Sequence, residues 1–220
     1  GYGLDETPGV FFQQSFGALD LFCLDDRYWR DPNDRPDGPG KTLLGQAQRD
    51  WLLDGLKSSR AVFKLVACGC GWSTAKGPQG DAWSAFLHER NALFDAIRDA
   101  GIEGVVLLSG DTHVGELNVI PWSAQGGYDL YDLVSSPLAQ RTSRSWLTRH
   151  PEQRVRPVHF ASANFGWIRI EYGDDPRLQF SVVDPQGRMA WRPFAIHASQ
   201  LRNGVESWRG VADPGLLPSG

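Results

Sequence analysis

The first half of the chain alternates between short apolar runs and longer segments with helical spacing. A glycine at position 17 separates the first two runs, which predicts a hairpin. Uninterrupted apolar strands that alternate with helices are typical of parallel pairing with right-handed crossovers. The pattern therefore predicts an α/β sheet in this half. The predicted strands cover residues 10–16, 18–24, 61–68 and 104–108, and the predicted helices cover 46–57 and 83–97.

The second half changes to short strands that are separated by turn-forming Gly, Asp and Pro residues. Mostly antiparallel pairing is expected here, and no pattern is visible beyond about Ser199. We therefore predict an α/β part up to about residue 115, a β-rich part over 116–198 and a tail over 199–220. The predicted strands of the β-rich part cover residues 116–120, 130–135, 165–172, 178–183 and 189–194.

Composition and charge argue against two classes of function. A net charge of -4 and an isoelectric point near 5.7 do not suit nucleic-acid binding, which needs a basic face. The longest apolar runs are far too short to span a bilayer. The cysteines, Cys23, Cys68 and Cys70, are odd in number and do not form a disulfide framework. We expect all three to be small buried apolar residues.

The strongest chemical signal is the segment Ser109–His113 at the end of a predicted buried strand. Ligand sites in open α/β sheets gather at the carboxyl ends of parallel strands. Gly110 allows the backbone to turn, and in an extended backbone the side chains of Asp111 and His113 leave on the same side. A carboxylate and a neutral imidazole suit zinc, iron or manganese better than calcium. We predict that Asp111 and His113 bind metal; the alternative is an aspartate that caps a turn beside a partly buried histidine.

A second polar segment, Leu24–Arg30, also follows a predicted strand. Arg27 and Arg30 are one helical turn apart, and a guanidinium group matches phosphate bidentately. We predict Arg27 as a phosphate contact. The alternative is an internal ion pair with an aspartate, which is favoured for Arg30. Gly38–Thr42 superficially matches a nucleotide-binding P-loop, but the first glycine of that motif is replaced by Arg35.

These segments, in this order, resemble the PhoD-like alkaline phosphatases, a branch of the metallophosphoesterases. The match runs from the first residues to about Phe194, and the conserved order of short pieces makes chance an implausible explanation. The segments that carry the resemblance are Thr7–Phe12, Leu24–Arg30, Leu44–Leu52, Asp81–Trp83 with Phe86 and Arg90, Leu108–His113, Tyr128–Asp132, Ser135–Leu138 and Asn164–Gly166.

The resemblance implies a fold and an activity. The fold would be the C-terminal half of a two-sheet metallophosphoesterase sandwich, a mixed α/β sheet with a β-rich C-terminal extension. The activity would be hydrolysis of small-molecule phosphate monoesters or diesters by metal-activated water. Asp111 and His113 would be ligands in a centre of two or more metal ions, for which the family suggests iron and calcium, with zinc or manganese as alternatives. Many members are exported, which suggests a periplasmic or extracellular location.

The chain departs from the family pattern in two ways. The superfamily's early metal ligands lie on a first strand, a Gly-Asp turn and an Asn-Asp or Asn-His turn. None of these segments is found here. The sequence starts at Gly1, and its only methionine is Met189. We therefore expect that an N-terminal half of the same protein carries these ligands, and no export signal can be judged. Relatives also place a metal-binding histidine after the strand that ends near Cys68; whether Cys70 takes its place stays open. The competing functional hypothesis is a non-catalytic or degenerate fragment that binds phosphorylated or sugar ligands.

Overall fold

A computed structural model describes residues 8–145 and 154–217 of the chain. Short 3₁₀ turns link several of the elements in these ranges. The strands are β1 (Phe12–Phe16), β2 (Leu19–Cys23), β3 (Phe63–Ala67), β4 (Val105–Ser109), β5 (Glu116–Ile120), β6 (Leu130–Val134), β7 (Phe165–Glu171), β8 (Arg177–Val183) and β9 (Phe194–His197). The helices are α1 (Gln46–Ser58), α2 (Leu87–Asp99) and α3 (Trp208–Val211).

Six strands form a mixed sheet in the order β1-β2-β3-β4-β6-β5. β2, β3, β4 and β6 run parallel, while β1 and β5 lie antiparallel at the two edges. The central strands are buried on both faces, which explains why their sequences are apolar without alternation. The predicted hairpin and the predicted parallel α/β order are both confirmed.

The helices α1 and α2 connect neighbouring parallel strands in the same direction along the sheet. Right-handed crossovers of this kind place both helices on one face. α2 begins later than predicted because Trp83–Ala85 forms a separate 3₁₀ turn and Phe86 has a non-helical backbone, with φ -136° and ψ 42°. The apolar residues that the two helices bury against the sheet are Leu52 and Leu56 from α1, and Leu93, Phe94 and Ile97 from α2.

The strands β7, β8 and β9 form a separate antiparallel sheet. It packs beside β6, where the ring centroids of Tyr131 and Phe194 are 4.8 Å apart. The prediction of a strand over 189–194 is wrong. Met189 makes one isolated bridge to Val183, and β9 begins only at Phe194. Pro193 has no N–H group to donate to a strand ladder, which explains why the strand cannot begin earlier.

The segment after Ser199, where the sequence shows no pattern, packs onto the same core. The side chains of Leu201 and Trp208 are buried. The buried Asp129 carboxylate accepts the backbone N–H groups of Ser207 and Trp208 at 2.7 and 3.0 Å, where α3 begins. Isolated apolar residues in a short irregular segment produce no periodicity, although they are buried in the fold. Across the described ranges, no helix has the length and apolar character that crossing a membrane requires.

Candidate metal and phosphate site

The carboxyl ends of the four parallel strands lie together along one side of the six-stranded sheet, at right angles to the edge strands' positions in the strand order. We call this side the carboxyl edge. Loops that follow parallel strands therefore share this edge, which is the usual place for ligand sites in such sheets. All of the residues that the sequence selected as metal or phosphate contacts lie in these loops. The loops are residues 24–30 after β2, 68–72 after β3, 110–115 after β4 and 135–138 after β6.

Asp111 and His113 lie directly after β4 in an unusual backbone conformation. Both have positive φ angles, 64° and 60°, and Gly110 does not. Positive φ is uncommon outside glycine, although Asp and His adopt it more readily than most residues. The extended backbone assumed from the sequence is therefore wrong here, and alternation alone does not set the direction of the two side chains. Non-glycine residues held in this conformation cluster at active sites and ligand-binding sites.

The Asp111 carboxylate is partly exposed and forms an ion pair through Oδ2 with the Lys76 ammonium group. The backbone N–H of His113 donates to Ser136 Oγ at 3.3 Å, which ties this turn to the loop after β6. Within residues 8–145 and 154–217, neither Asp111 nor His113 belongs to a group of three or more His, Cys, Asp or Glu ligands. They offer two donors of suitable chemistry but not a complete coordination shell.

Arg27 lies at the same edge and is paired with two carboxylates. Its Nη1 atom is 2.8 Å from Asp81 Oδ1, and its Nε atom is 3.4 Å from Asp26 Oδ1. Arg30 Nη2 lies 2.8 Å from the same Asp81 oxygen, and its guanidinium group lies over the Phe86 ring. The Arg30 side chain is only 8% exposed, as expected for an internal ion pair, whereas that of Arg27 is 54% exposed.

Two residues that the sequence did not select connect Arg27 with Asp111. Lys76 Nζ donates to the backbone oxygen of Asp81 at 3.1 Å and also pairs with the Asp111 carboxylate. Alternating positive and negative groups thus extend across the edge from Arg27 through Asp81 and Lys76 to Asp111. Lys76 lies in a glycine-rich loop without a motif, so only the folded chain reveals its position.

A buried carboxyl group, Asp132 on β6, forms hydrogen bonds with residues of this edge. Its Oδ1 atom accepts from Ser109 Oγ at 2.6 Å, and its Oδ2 atom accepts from the backbone N–H of Trp72 at 3.0 Å. Burial raises the pKa of Asp132 to about 7, although both hydrogen bonds and the nearby Arg90 act in the opposite direction. Asp132 therefore links the ends of β3 and β4 immediately beneath the Asp111 turn.

Asp26, Cys68 and Cys70 form the one group of three potential metal ligands found within the described part of the chain, and all three residues are buried. Cys68 Sγ lies 3.8 Å from Cys70 Sγ and 3.7 Å from Asp26 Oδ2. The hydrogen bond with Cys68, followed by burial, raises the pKa of the Cys70 thiol. The expected burial of these two cysteines is confirmed, but a carboxylate lies against them.

Two family segments that are distant in the sequence meet beside the His113 turn. Asn164 Nδ2 donates to the Ser136 backbone oxygen at 2.7 Å, and the Asn164 N–H donates to the Pro137 oxygen at 2.8 Å. Ser135 Oγ donates to Asn164 Oδ1 at 3.2 Å. Asn164 therefore holds the loop whose Ser136 hydroxyl accepts the His113 N–H.

Lys41 and His159 have structural partners of their own. Lys41 of the P-loop-like segment is buried, and its Nζ donates to the backbone oxygens of Asn33, Arg35 and Ala85. His159 pairs through its backbone with Gly115, and burial lowers its pKa. His88 is exposed near the start of α2. His150 lies outside the described residues.

A protein-family model described as PhoD-like phosphatase matches residues 4–182. That range contains the Arg27 loop and the Asp111–His113 turn. The chain belongs to the PhoD-like phosphatase family. The resemblance seen in the sequence is thereby confirmed, and the match ends within β8 of the second sheet.

Known proteins of this kind agree in sequence and in fold. Alkaline phosphatase D of Bacillus subtilis (strain 168) is 30% identical over 117 residues, which cover 45% of this chain and 20% of that protein. The solved structure of PhoD has a TM-score of 0.65 at 17% identity and covers 93% of this chain and 45% of its own. The purple acid phosphatase PPD1 from yellow lupin (Lupinus luteus) seeds has a TM-score of 0.59 at 10% identity. The match covers 96% of this chain and 35% of the lupin chain.

These comparisons confirm the predicted fold class, a mixed α/β sheet with a further antiparallel sheet, as in the PhoD and purple acid phosphatase structures. At such low identities the two structures support the fold alone. The chain spans less than half the length of each of these PhoD-like and purple acid phosphatase proteins.

Proposed function

We propose that this PhoD-like chain forms part of the catalytic centre of a phosphoester hydrolase. In this proposal Asp111 and His113 bind a metal ion, and Arg27 contacts the phosphate group of the substrate. The observation that carries the proposal is the Asp111–His113 turn, in which two ligand-type residues, two positions apart, adopt positive φ angles at the carboxyl end of a parallel strand. Family membership gives the reaction class.

The donor set supports a metal ion at this turn. A carboxylate and a neutral imidazole suit iron, zinc or manganese, and both residues lie in the loop that follows β4. Such an ion, when bound, supplies positive charge for the phosphoryl oxygens and an activated water. Because the described residues add no third ligand here, we assign the remaining ligands of a two-metal centre to other parts of the protein. This agrees with a match that covers 45% of the PhoD chain.

Arg27 is suited to hold the ester because its guanidinium group can leave Asp81 without leaving that carboxylate unpaired. Asp81 is shared with Arg30, so it stays paired when Arg27 turns towards a phosphate. The fork of the guanidinium group then orients two phosphoryl oxygens. Arg30, held over Phe86, keeps Asp81 in place during this exchange.

The second candidate function is a non-catalytic module. One observation favours it: Lys76 already neutralises Asp111, and Asp81 and Asp26 already neutralise Arg27. A network that is complete in itself does not need a metal ion. The two hypotheses differ in whether the turn binds metal and whether hydrolysis depends on it.

The test is hydrolysis of p-nitrophenyl phosphate and bis-p-nitrophenyl phosphate by the complete product of the gene, together with its metal content. We expect Asp111→Asn and His113→Ala to lower kcat by orders of magnitude and to lower bound metal, because each removes a ligand. Arg27→Lys should raise KM more than it lowers kcat, because lysine lacks the bidentate fork. An exported location stays a prediction from the family.

His88→Ala is the matched control, since it removes an exposed imidazole from α2. Near-normal turnover and metal content in both Asp111→Asn and His113→Ala would refute the ligand assignment. Absence of hydrolysis in an unaltered, correctly folded protein that is supplied with iron, calcium, zinc and manganese would favour the non-catalytic module.

A further inference from the structure

The buried group of Asp26, Cys68 and Cys70 has the dimensions of a metal site that is separate from the Asp111 turn. Its three donor atoms come from two loops, one after β2 and one after β3. One oxygen and two sulfur atoms lie within 4.8 Å of one another. None of these residues is a metal ligand or phosphate contact in the phosphoester hydrolysis proposed above, although Asp26 pairs with Arg27.

The two distances that involve Cys68 match the edges of a tetrahedron around a zinc ion. With Zn–S bonds of about 2.3 Å and Zn–O bonds of about 2.0 to 2.2 Å, tetrahedral geometry places two sulfurs about 3.8 Å apart and a sulfur and an oxygen about 3.5 to 3.7 Å apart. The Cys68–Cys70 sulfur separation is 3.8 Å, and Cys68 Sγ lies 3.7 Å from Asp26 Oδ2. The sulfurs are too far apart for a disulfide bond of about 2.05 Å.

We propose that Asp26, Cys68 and Cys70 bind one divalent cation of the zinc class, with a fourth position open to a water molecule or another donor. Soft thiolate ligands select zinc over calcium and magnesium. On binding, the cation displaces the two thiol protons to solvent, and no bond is oxidised or reduced.

The local backbone supports this cradle. Gly69 separates the two cysteines, and a Cβ atom on it would lie only 3.0 Å from Asp26 Oδ2 and 3.1 Å from Oδ1. The absence of a side chain at this position lets the Cys-Gly-Cys segment close around the carboxylate. The Cys70 N–H donates to Asp26 Oδ2 at 2.8 Å, which holds the carboxylate in position.

The charges of the site balance when a cation is bound. Once the cation has displaced the thiol protons, two thiolates and one carboxylate bring three negative charges to a buried site, and such a group is stable only when it is neutralised. A divalent cation removes two of these charges. The Arg27 guanidinium, with Nε at 3.4 Å from Asp26 Oδ1, compensates the third.

The test is titration of the reduced, chelator-treated chain with Co²⁺, followed by displacement with Zn²⁺. Cobalt bound by thiolates in a tetrahedral site gives an intense charge-transfer absorption that scales with the number of thiolates. We expect one thiolate-bound Co²⁺ per chain, a signal that falls to half or less in Cys68→Ser and Cys70→Ser, and displacement of cobalt by zinc. Asp26→Asn should keep the thiolate signal and weaken Co²⁺ affinity by about tenfold or more.

Cys23→Ser is the matched control, because Cys23 is a free thiol on β2 outside the group. Asp111→Asn is the second control, and it should leave the thiolate signal unchanged, so this site can fail or succeed independently of the proposed hydrolase centre. Circular dichroism of the metal-free variants shows whether each remains folded. If Cys70→Ser does not fold, Cys70→Ala is measured in its place.

The proposal is overturned by any of three results. The folded, reduced chain could show no thiolate-to-cobalt absorption, which would leave hydrogen-bonded thiols only. The signal could survive in both Cys68→Ser and Cys70→Ser, or it could be lost in Cys23→Ser. In contrast, a rise in melting temperature with added Zn²⁺ in the unaltered chain and in Cys23→Ser, but not in Cys70→Ala, would support it.

Discussion

Replacing Asp132 with asparagine should remove a pH dependence of stability that the unaltered chain carries near neutral pH. Asp132 is fully buried on β6 between Ser109 and the backbone of Trp72. Its pKa is raised from 3.8 to about 7, chiefly by burial. Between these two values the folded chain holds a proton that the unfolded chain has released, so the free energy of unfolding falls as the pH rises.

The size of the effect follows from the pKa difference. At about 1.4 kcal/mol for each pKa unit, ionisation of Asp132 lowers the free energy of unfolding by about 4 kcal/mol once the pH is well above 7. Roughly 2.5 kcal/mol of this loss develops between about pH 5 and about pH 8. Asparagine is neutral at every pH and has nearly the shape of the protonated acid. Its amide oxygen can accept the Trp72 N–H while its amide nitrogen donates to Ser109 Oγ.

Urea unfolding of both proteins across this pH range measures the effect. Asp132→Asn should already be more stable than the unaltered chain by roughly 1.5 kcal/mol near pH 5, and the difference should grow by roughly a further 2.5 kcal/mol towards pH 8. Asp174→Asn, in an exposed turn, is the control and should follow the unaltered chain throughout. A stability difference between Asp132→Asn and the unaltered chain that stays constant with pH would refute the reasoning.

Two further substitutions test the packing around the sheet, with the free energy of unfolding as the measurement. Gly104→Ala should lower the free energy of unfolding by about 3 kcal/mol or more, because φ is 76° and the new Cβ would lie 2.1 Å from the Val62 oxygen. Gly101→Ala is the control and should lower it by only about 1 kcal/mol, because φ is 63° but no atom lies within 4 Å of the added Cβ. Equal losses in the two variants would contradict this reasoning. Asp129→Ala should lower the free energy of unfolding by about 3 kcal/mol, because two backbone N–H groups at the start of α3 lose their buried acceptor. An unchanged free energy of unfolding would mean that the segment after residue 199 adds little to stability.

The site residues chosen from the sequence differ in how directly the pattern revealed them. Asp111 and His113 follow a buried strand, and the position of strand ends in parallel sheets makes such residues easy to select. Their positive φ angles were not visible in the sequence, because backbone conformation in a loop depends on contacts such as that between the His113 N–H and Ser136. Arg27 was placed at the correct edge, but its pairing with Asp81 joins residues that are far apart in the chain.

The cysteines show the same division. The burial of Cys68 and Cys70 could be predicted from residue type, since free cysteine is usually buried, but the same prediction is wrong for Cys23, which is only partly buried. The approach of Asp26 to Cys68 and Cys70 could not, because it depends on β2 and β3 lying side by side in parallel. The predicted strand over 189–194 is wrong for a local reason. Pro193 has no N–H group for a strand ladder, and β9 begins only after it.

The sequence by itself determined the order of strands and helices, the parallel α/β arrangement, and membership of the PhoD-like family, because these depend on local periodicity and on short motifs in a fixed order. Only the tertiary structure decided which polar groups meet. Ion pairs such as Lys76 with Asp111, the buried carboxyl group of Asp132 and the docking of the last residues on Asp129 join positions that are distant along the chain. Such contacts arise from packing, and no periodic pattern in the sequence records them.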